Sequence, residues 1–156
     1  MELRPVRLSD AEAAPLLAGL TQEYEARYGP GDEMASTVAD EFDPPGGTFL
    51  VLLEDGLTVA GGGIRRLSQD TCEVKRMWTA PGHRRAGHAT TVLLGLERAA
   101  RGLGYSRIRA ETGAAQPEAL SLYRQRGYGE IPVYGPYVAA VAFERRLDTR
   151  KPHDDA

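Results

Sequence analysis

The stretch from residue 71 to residue 111 constrains the fold of this chain more than any other part of the sequence. Thr71 to Thr79 has the composition of a strand, a turn rich in small residues follows, and a helix then runs to a stop at Gly104. Tyr105 to Glu111 is a further strand. The apolar side chains of the helix form one stripe, at Ala89, Val92, Leu93, Leu96, Ala99 and Leu103. A helix that joins two strands in this way predicts a right-handed crossover between parallel neighbours.

The other segments predict further strands and helices around this crossover. In chain order they are a strand at Glu2 to Leu8, a helical region at Ala11 to Tyr28, a hairpin at Thr48 to Ile64, a helix at Gln116 to Arg126 and a strand at Val138 to Leu147. Pro5 cannot donate a ladder hydrogen bond, so the first strand belongs at an edge of the sheet. Asp55-Gly56 is a typical hairpin turn, which makes the strands up to Thr79 an antiparallel meander.

The composition is that of one folded domain. The chain has 156 residues, of which 42% are hydrophobic and 26% are charged. We expect the domain to span residues 1–148 and residues 149–156 to form a polar tail. A single cysteine, Cys72, excludes an internal disulfide framework and a cysteine-rich zinc site. The sequence has neither an apolar run of the ~20 residues that a membrane span needs nor a signal peptide, which predicts a cytoplasmic protein with no membrane partner.

Charge is distributed unevenly along the chain. Residues 1–60 carry twelve acidic and three basic residues, for a net charge of -9, whereas residues 61–110 carry three acidic and ten basic residues, for a net charge of +7. The basic residues of this block are spread over strands, a turn and a helix, which disfavours a nucleic-acid partner. A local excess of arginine can still bind a phosphorylated small molecule.

The turn before the long helix has the composition of an anion-binding site. Ala86, Gly87 and Ala89 are small enough to let a ligand approach the backbone closely. The N–H groups of the first helical turn would point at such a ligand, and the helix dipole favours negative charge there. Arg84 and Arg85 add two cationic side chains. These features predict a phosphate or diphosphate site.

Other interpretations of this turn are weaker. It has no Gly-Lys-Ser/Thr sequence, so it is not a nucleotide-hydrolysing P-loop. It also lacks the Gly-x-Gly-x-x-Gly pattern of dinucleotide-binding folds. From spacing alone, a tight turn with two solvated arginines stays an alternative.

Two motifs in the chain resemble those of the GNAT superfamily of N-acetyltransferases. The acyl-CoA signature of that family, Gln/Arg-x-x-Gly-x-Gly/Ala, reads here Arg84-Arg85-Ala86-Gly87-His88-Ala89. The family's helix motif, Asn-x-x-Ala-x-x-Leu-Tyr-x-x-x-Gly-Phe, corresponds here to residues 116–128, with Gln116 and Tyr128 in place of the usual Asn and Phe. Together the motifs and their spacing cover roughly residues 73–128 and are specific, although either alone would be weak.

The resemblance implies an α/β (α+β) protein with the GNAT fold, a central mixed sheet of six to seven strands flanked by about four helices. It also implies an acyltransferase, an acetyl-CoA-dependent N-acetyltransferase. Backbone N–H groups from Arg85 to Thr90 would hold the pyrophosphate, and the strand near Trp78 would pair with the pantetheine arm where a bulge splays it from its neighbour. The cofactor-binding residues implied are Met77, Trp78, Thr79, Arg84, Arg85, Ala86, Gly87, His88, Ala89, Thr90, Gln116 and Tyr123.

Acetyl transfer from a thioester to an amine needs a deprotonated amine, a donor to the oxyanion and an acid for the leaving thiolate. Tyr123 matches the general acid of the family, and a backbone N–H near Met77 or Trp78 would serve the oxyanion. The base stays open between Glu73, Glu111 and a water-mediated base. Glu73 can equally be part of a structural ion pair with Lys75 or Arg76.

The strand before the turn carries residues of both kinds. If it is regular, Glu73, Lys75, Met77 and Thr79 share one face, and Val74, Arg76 and Trp78 share the other. Cys72 has no histidine placed by spacing to activate it, so we interpret it as a packing residue. His83 and His88 flank the turn without an apparent third ligand, so we expect no metal site.

The acceptor substrate is the least defined part of the function. The resemblance places Glu23, Tyr24 and Tyr28 in the wall of the acceptor pocket. The acidic first third of the chain favours a cationic small-molecule amine such as a polyamine, an amino acid or an aminosugar, although a solvated acidic face explains the same charges. An amine on a protein, a non-catalytic CoA-binding or sensor module on the same fold and a homodimer also stay open.

Overall fold

The computed structural model describes residues 1–28, 39–114, 116–135 and 139–147. Its strands are β1 (Glu2–Val6), β2 (Thr48–Glu54), β3 (Leu57–Arg66), β4 (Thr71–Thr79), β5 (Arg107–Gly113), β6 (Gly129–Ile131) and β7 (Ala140–Arg146). Its α-helices are α1 (Ala14–Tyr28), α2 (His88–Gly102) and α3 (Pro117–Gln125), and short 3-10 helices lie at Ala11–Ala13 and Ala39–Phe42. The expected C-terminal tail, residues 149–156, lies outside the described residues.

The seven strands form one mixed sheet in the order β1-β2-β3-β4-β5-β7-β6. Only the central pair β4–β5 is parallel, and α2 connects these two strands as the predicted crossover. The strands before it form the expected meander, with Asp55 and Gly56 both at positive φ in the turn between β2 and β3. β1 lies at an edge, as Pro5 predicted. The mixed sheet of six to seven strands is therefore confirmed.

The number of helices differs from the expectation. The described residues contain three α-helices rather than about four. Between α1 and β2 they contain only the 3-10 helix at Ala39–Phe42. This helix cannot extend towards β2 because Pro44 and Pro45 follow it, and a proline disfavours the helical conformation of the residue before it.

The sequence pattern did not predict strand β6. Gly129–Ile131 is only three residues long and is followed by Pro132, so it shows no usable periodicity. It becomes a strand because it pairs with β7, where Ile131 lies opposite Ala142. A long-range partner, rather than local propensity, defines this edge of the sheet.

Apolar side chains form two clusters, one on each side of the sheet. The larger one lies beneath α2 and α3 and includes the fully buried Val92, Leu93 and Leu96. The smaller one lies beneath α1 and includes Leu16 and Leu20. Because burial of one such side chain contributes about 1.5–3 kcal/mol, the two clusters hold helices on both sides of the sheet. We call these sides the α2/α3 face and the α1 face.

Candidate active site where strands β4 and β5 part

Strands β4 and β5 pair over only part of their length. The parallel register joins residues 71–74 to residues 107–110. β4 nevertheless continues to Thr79 and β5 to Gly113. β3 and β7, the outer neighbours of these strands, stay paired with them beyond this point. A gap therefore opens in the middle of the sheet, and the unpaired edge of β4 lines it.

A bulge in β4 accompanies the gap. Lys75 lies opposite Gly63 and Trp78 opposite Gly61, so β4 contains one more residue than β3 over this interval. Arg76 within the interval has a positive φ of 62°, which is uncommon for a residue with a side chain. The bulge bends β4 away from β5, as the resemblance implied.

This bulge makes the predicted alternation of β4 wrong beyond residue 75. In a regular strand Met77 would share a face with Glu73, and Trp78 would share the opposite face with Val74. Instead Met77 packs against the α2/α3 cluster that contains Val74, whereas Trp78 belongs to the α1 cluster. The inserted residue shifts the two-residue side-chain period by one position.

The side chains of Met77 and Trp78 are used for packing. Gly62 makes room for Met77, because a Cβ at that position would collide with its sulfur. Gly19 does the same for the indole of Trp78, whose Nε1 has no hydrogen-bond partner among the described residues. What β4 offers to the gap is its backbone. An extended chain that carries amide groups, such as a pantetheine arm, can pair with such an edge as an added strand.

The loop between β4 and α2 has the geometry of an anion-binding site. Gly82, Arg85 and Gly87 have positive φ angles of 89°, 65° and 81°. Gly87 is the N-cap of α2, and no side chain caps this helix. Residues 84–87 are exposed, and the N–H groups of residues 88–90 belong to the uncapped first turn. This turn fits a diphosphate group, because its N–H groups and the helix dipole both favour an anion.

Arg84 is engaged within the protein. Its Nε donates to the carbonyl oxygen of Thr79 at 3.1 Å, and its guanidinium forms an ion pair with Glu23 of α1. A predicted phosphate ligand and a predicted acceptor-pocket residue are therefore bound to each other, and they tie α1 to the end of β4. Gln116 is the N-cap residue of α3, but its side chain makes no capping hydrogen bond.

Tyr123 lies on α3, is only 4% exposed and faces the α2/α3 cluster. Its ring centroid lies 5.3 Å from that of Tyr128 and 5.6 Å from that of Phe143. Within the described ranges its hydroxyl makes no hydrogen bond. Burial, followed by the negative charge of Glu73, raises the pKa of Tyr123 well above its ordinary value of 10. The phenol is therefore protonated at neutral pH, as a general acid must be, and it is a weaker acid than a free phenol.

Glu73 lies deep in the sheet and is 3% exposed. Its Oε1 accepts a hydrogen bond from Nε of Arg65 at 3.0 Å and lies 3.9 Å from Nζ of Lys75. Its Oε2 accepts the hydroxyl of Tyr134 at 2.5 Å. Arg65 also pairs with Glu41 at 3.1 Å. Glu73 is therefore in a structural ion pair, but its main partner is Arg65 of β3, and the predicted partner Lys75 is the more distant one.

Glu111 is the first residue of β5 beyond the last pair with β4, and it is partly exposed. Its Oε2 accepts the backbone N–H of Tyr134 at 3.3 Å and that of Gly135 at 3.0 Å. Its Oε1 accepts no hydrogen bond from the part of the chain that the structure describes. Gly135 permits this approach, because a Cβ there would collide with the Glu111 carboxylate. The same segment thus contacts both predicted base candidates.

Sequence reasoning missed Tyr134. The pattern around it, with Pro132 before it and Gly135 after it, indicates only a break between strands. In the structure its ring lies under the guanidinium of Arg109, with 5.2 Å between the guanidinium carbon and the ring centroid. Burial and the hydrogen bond to Glu73 raise the pKa of Tyr134 well above 10. The one available signal was an aromatic residue placed among turn formers.

The predicted wall of the acceptor pocket is only partly described. Glu23 is paired with Arg84, and Tyr24 lies on the same helix and is partly exposed. Tyr28 is the last residue of α1, and its side chain lies outside the described residues. Of the other acidic residues in this region, Glu41 is paired with Arg65, Glu25 is exposed, and Asp32 and Glu33 lie outside the described residues.

Three other predicted features carry no catalytic geometry. Cys72 is buried, and desolvation raises the pKa of its thiol to about 12, so it is not a reactive thiolate. His83 contacts Glu54 at 3.3 Å, and its ring centroid lies 6.4 Å from that of His88. Across the described ranges, no three His, Cys, Asp or Glu side chains are grouped as a metal site. Among these residues, too, no helix combines the length and the apolar character that crossing a bilayer requires.

Comparison with known proteins gives relatives of one kind. A model of the acetyltransferase (GNAT) family matches residues 17–128. The uncharacterised N-acetyltransferase YjgM of Escherichia coli is 32% identical over 128 residues, which are 75% of this chain and 77% of that protein. An IAA acetyltransferase of Azospirillum brasilense is 34% identical over 90 residues, 57% of this chain and 59% of that protein. A crystal structure assigned as an acyl-CoA N-acyltransferase of Klebsiella pneumoniae superposes with a TM-score of 0.79 at 26% identity, covering 94% of this chain and 97% of that one.

The matched region contains the parting of β4 and β5, the anion-binding loop and Tyr123. The family model spans more than half of the chain, and the relatives agree with it. The diphosphate-shaped loop and the unpaired strand edge fit the two ends of an acyl-CoA molecule. The chain therefore belongs to the GNAT family of acetyltransferases and is an acyltransferase whose acyl donor is acetyl-CoA.

Proposed function

We propose that this enzyme transfers the acetyl group of acetyl-CoA directly to a primary amine of a small molecule within a ternary complex. The observation that carries the proposal is the arrangement around the gap. Tyr123 faces the α2/α3 cluster, whereas Glu111 alternates with the buried Ala110 and so points to the α1 face. An amine that enters from the α1 face would meet a thioester that enters from the α2/α3 face. Cys72 is buried and protonated, which argues against an acetylated cysteine intermediate.

Of the two candidate carboxylates, we assign the general base to Glu111. Both oxygens of Glu73 are already engaged, one by Arg65 and the other by Tyr134, and the residue is nearly inaccessible. Glu111 is partly exposed, borders the gap and keeps Oε1 available among the described residues. A general base must reach the proton it removes, either directly or through one water molecule. Glu111 meets this condition better than Glu73 does.

The order in which bonds form and break assigns roles to the oxyanion donor and the general acid. The acceptor ammonium gives one proton to Oε1 of Glu111, and the neutral amine attacks the thioester carbonyl carbon. A C–N bond forms, a backbone N–H near Met77 or Trp78 donates to the oxyanion, and the C–S bond then breaks. The Tyr123 hydroxyl gives its proton to the departing thiolate, and the nitrogen of the new amide loses its second proton, which restores the Tyr123 phenol by way of solvent.

The covering of the gap supports a small acceptor. Residues 132–135 leave β6 at the sheet edge and reach Glu73 on β4, so they lie across the α1 face of β7 and β5. This covering narrows the approach from the α1 face and disfavours a bulky protein acceptor. A further positive charge on the acceptor, beyond the ammonium that reacts, has less support, because Arg84 and Arg65 offset the charges of Glu23 and Glu41.

The test is the substitution Tyr123→Phe, with Tyr128→Phe as its matched control. Both tyrosines are buried in one aromatic cluster, but the Tyr128 hydroxyl is bound to Glu97, away from the gap. We expect Tyr123→Phe to lower kcat by about a hundredfold or more, the usual contribution of a general acid, with an unchanged Kd for acetyl-CoA. The control should keep the kcat of the folded enzyme.

Two outcomes would contradict this proposal. Full turnover by the Tyr123→Phe variant would remove the acid role from Tyr123. Binding of acetyl-CoA without turnover on any amine of a broad small-molecule panel would favour the CoA-binding module or, if a peptide panel is acetylated, a protein acceptor. Calorimetry with acetyl-CoA and a thiol-release assay separate these cases.

A further inference from the structure

One short segment links the two carboxylates at the gap. Residues 132–135, which we call the crossing segment, place the hydroxyl of Tyr134 on Glu73 at 2.5 Å. The same segment directs the N–H groups of Tyr134 and Gly135 to Oε2 of Glu111, at 3.3 Å and 3.0 Å. The side chain of Tyr134 thus binds Glu73 in β4, and its backbone N–H binds the proposed base, Glu111, in β5.

Glu73, which anchors the crossing segment, is more buried than Glu111 and is held by an ion pair. Glu73 is 3% exposed and is fixed by Arg65, which is itself bound to Glu41. Glu111 is partly exposed at the point where β5 has lost its partner β4. Without the crossing segment, its carboxylate would be free to sample several rotamers. The buried ion pair of Glu73 and Arg65 can therefore fix the crossing segment, and through it the side chain of Glu111 on the unpaired part of β5.

We propose that Tyr134 is a positioning residue: by anchoring the crossing segment on Glu73, it holds two backbone N–H groups on Glu111 and so fixes the orientation of the general base. This inference rests on the proposed function, in which Glu111 is the base. Two N–H donors hold the Glu111 carboxylate in one orientation. They bind one oxygen only, which leaves Oε1 for the acceptor ammonium.

Other charged and polar groups lie on the same face of the sheet as Glu111. They are Arg109 on β5, Glu73 and Lys75 on β4, Glu144 on β7 and Tyr134 on the crossing segment. Arg109 is bound to Glu144 at 2.8 Å, and Lys75 lies 3.9 Å from Glu73, so each cation has an acidic neighbour of its own. The two N–H groups are therefore the donors committed to Glu111.

The experiment compares kcat and KM of Tyr134→Phe with those of the wild-type enzyme. The variant keeps the ring beneath Arg109 but loses the bond to Glu73, which releases the crossing segment. We expect kcat to fall about tenfold while KM for the acceptor amine stays within about twofold, because a misoriented base weakens the transition state and leaves substrate binding unchanged. In a Glu111→Gln background the same substitution should cause no further loss, because the two residues act as one unit.

Two further variants keep the test independent of folding defects. Tyr128→Phe removes an equivalent tyrosine–glutamate bond, at Glu97, and should leave kcat unchanged. Gly135→Ala keeps Tyr134 but pushes the new Cβ against the Glu111 carboxylate, so it should lower kcat/KM as Tyr134→Phe does.

The outcomes distinguish this inference from the proposed function. An unchanged kcat in Tyr134→Phe, with turnover lost in Tyr123→Phe and Glu111→Gln, would overturn the positioning role and leave the proposed function intact. Full activity of Glu111→Gln together with loss of activity in Glu73→Gln would move the base to Glu73 and overturn both assignments. A loss of kcat shared by Tyr134→Phe and Tyr128→Phe would indicate a general loss of stability and would also overturn the positioning role.

Discussion

Two clusters of the same composition serve different purposes in this sheet. The Glu97 cluster consists of Tyr128, Glu97 and Arg145, and the Glu73 cluster consists of Tyr134, Glu73 and Arg65. In the first, the tyrosine hydroxyl lies 2.7 Å from the carboxylate, as does the arginine. In the second these distances are 2.5 Å and 3.0 Å. Both carboxylates are buried, so their internal chemistry does not distinguish them.

The difference lies in what the backbone of each tyrosine contacts. The N–H of Tyr128 donates to the carbonyl oxygen of Tyr123 at 3.0 Å and closes the end of α3. The N–H of Tyr134 donates instead to Glu111 at the open gap. The Glu97 cluster therefore joins elements of the packed core, whereas the Glu73 cluster extends to Glu111, to which we assign the general base. In our proposal, the same kinds of side chain contribute to stability in one place and to positioning in the other.

The largest difference in stability between the two clusters is expected when each carboxylate charge is removed. Glu97→Gln leaves Arg145 and the nearby Arg126 without their acidic partner and should lower the free energy of unfolding by about 3–4 kcal/mol. Glu73→Gln should cost less, because Arg65 keeps Glu41 as a second partner. Urea unfolding of both variants measures the difference. Equal losses would show that the two clusters contribute alike to stability.

Alkaline pH should destabilise the fold. Burial raises the pKa values of several groups, among them the phenols of Tyr123, Tyr128 and Tyr134 and the thiol of Cys72, so the fold favours their protonated forms. The stabilisation is complete below the ordinary pKa values of 9 for the thiol and 10 for the phenols, and it is lost as the pH rises, because the unfolded chain then releases protons that the folded chain keeps. By pH 11 we expect a loss of at most about 1.4 kcal/mol from each phenol and about 2.7 kcal/mol from the thiol. Urea midpoints at pH 8 to 11 test this, and Tyr128→Phe should remove the contribution of one phenol.

Removing only the hydroxyl groups sharpens the contrast. Tyr128→Phe takes a donor from a carboxylate that is 1% exposed and should cost about 2 kcal/mol. Tyr134→Phe should cost about 1 kcal/mol, because this residue is partly exposed and water can replace its hydrogen bond. Thermal unfolding should show that Tyr128→Phe is the less stable variant. Measurements of kcat/KM should show that Tyr134→Phe is the less active one. Larger effects of Tyr128→Phe in both assays would contradict the division of roles.

The smallest effect is expected at the contact between α1 and the anion-binding loop. Glu23→Gln removes the acidic partner of Arg84 in a partly exposed pair, so stability should change by less than about 1 kcal/mol. The KM values for amines with and without a second positive charge should both stay within about threefold of the wild-type values, because Arg84 already offsets the charge of Glu23. Steady-state kinetics with both kinds of amine measure this. A KM that rises only for amines with a second positive charge would restore the expectation of a cationic acceptor such as a polyamine.

Features with a local cause could be read from the sequence. The helix stripe from Ala89 to Leu103, the turn around Gly87 and the aromatic position of Tyr123 each depend on residues close together in the chain. The edge position of β1 followed from the single missing donor of Pro5. Because hydrogen bonds and side-chain periods within one element span only a few residues, such patterns are visible without a structure.

Other features depend on partners that are distant in the chain. The bulge at Arg76 arises from the register between β4 and β3, and it reverses the faces of Met77 and Trp78. No periodicity within β4 reveals it, because the extra residue is defined only against the neighbouring strand.

The sequence by itself determined the strand, the glycine turn and the helix to which we assign the acyl-CoA, because these elements adjoin in the chain. Only the tertiary structure decided the surroundings of Glu73 and Glu111. Tyr134 reaches Glu73 across 61 residues, and its backbone meets Glu111 across 23. The physical reason is that the crossing segment can meet both carboxylates only because β6 and β7 lie beside β5 in the sheet. The sequence around Tyr134 carries turn formers for that path, and the partners at its end are fixed by the packing of the whole sheet.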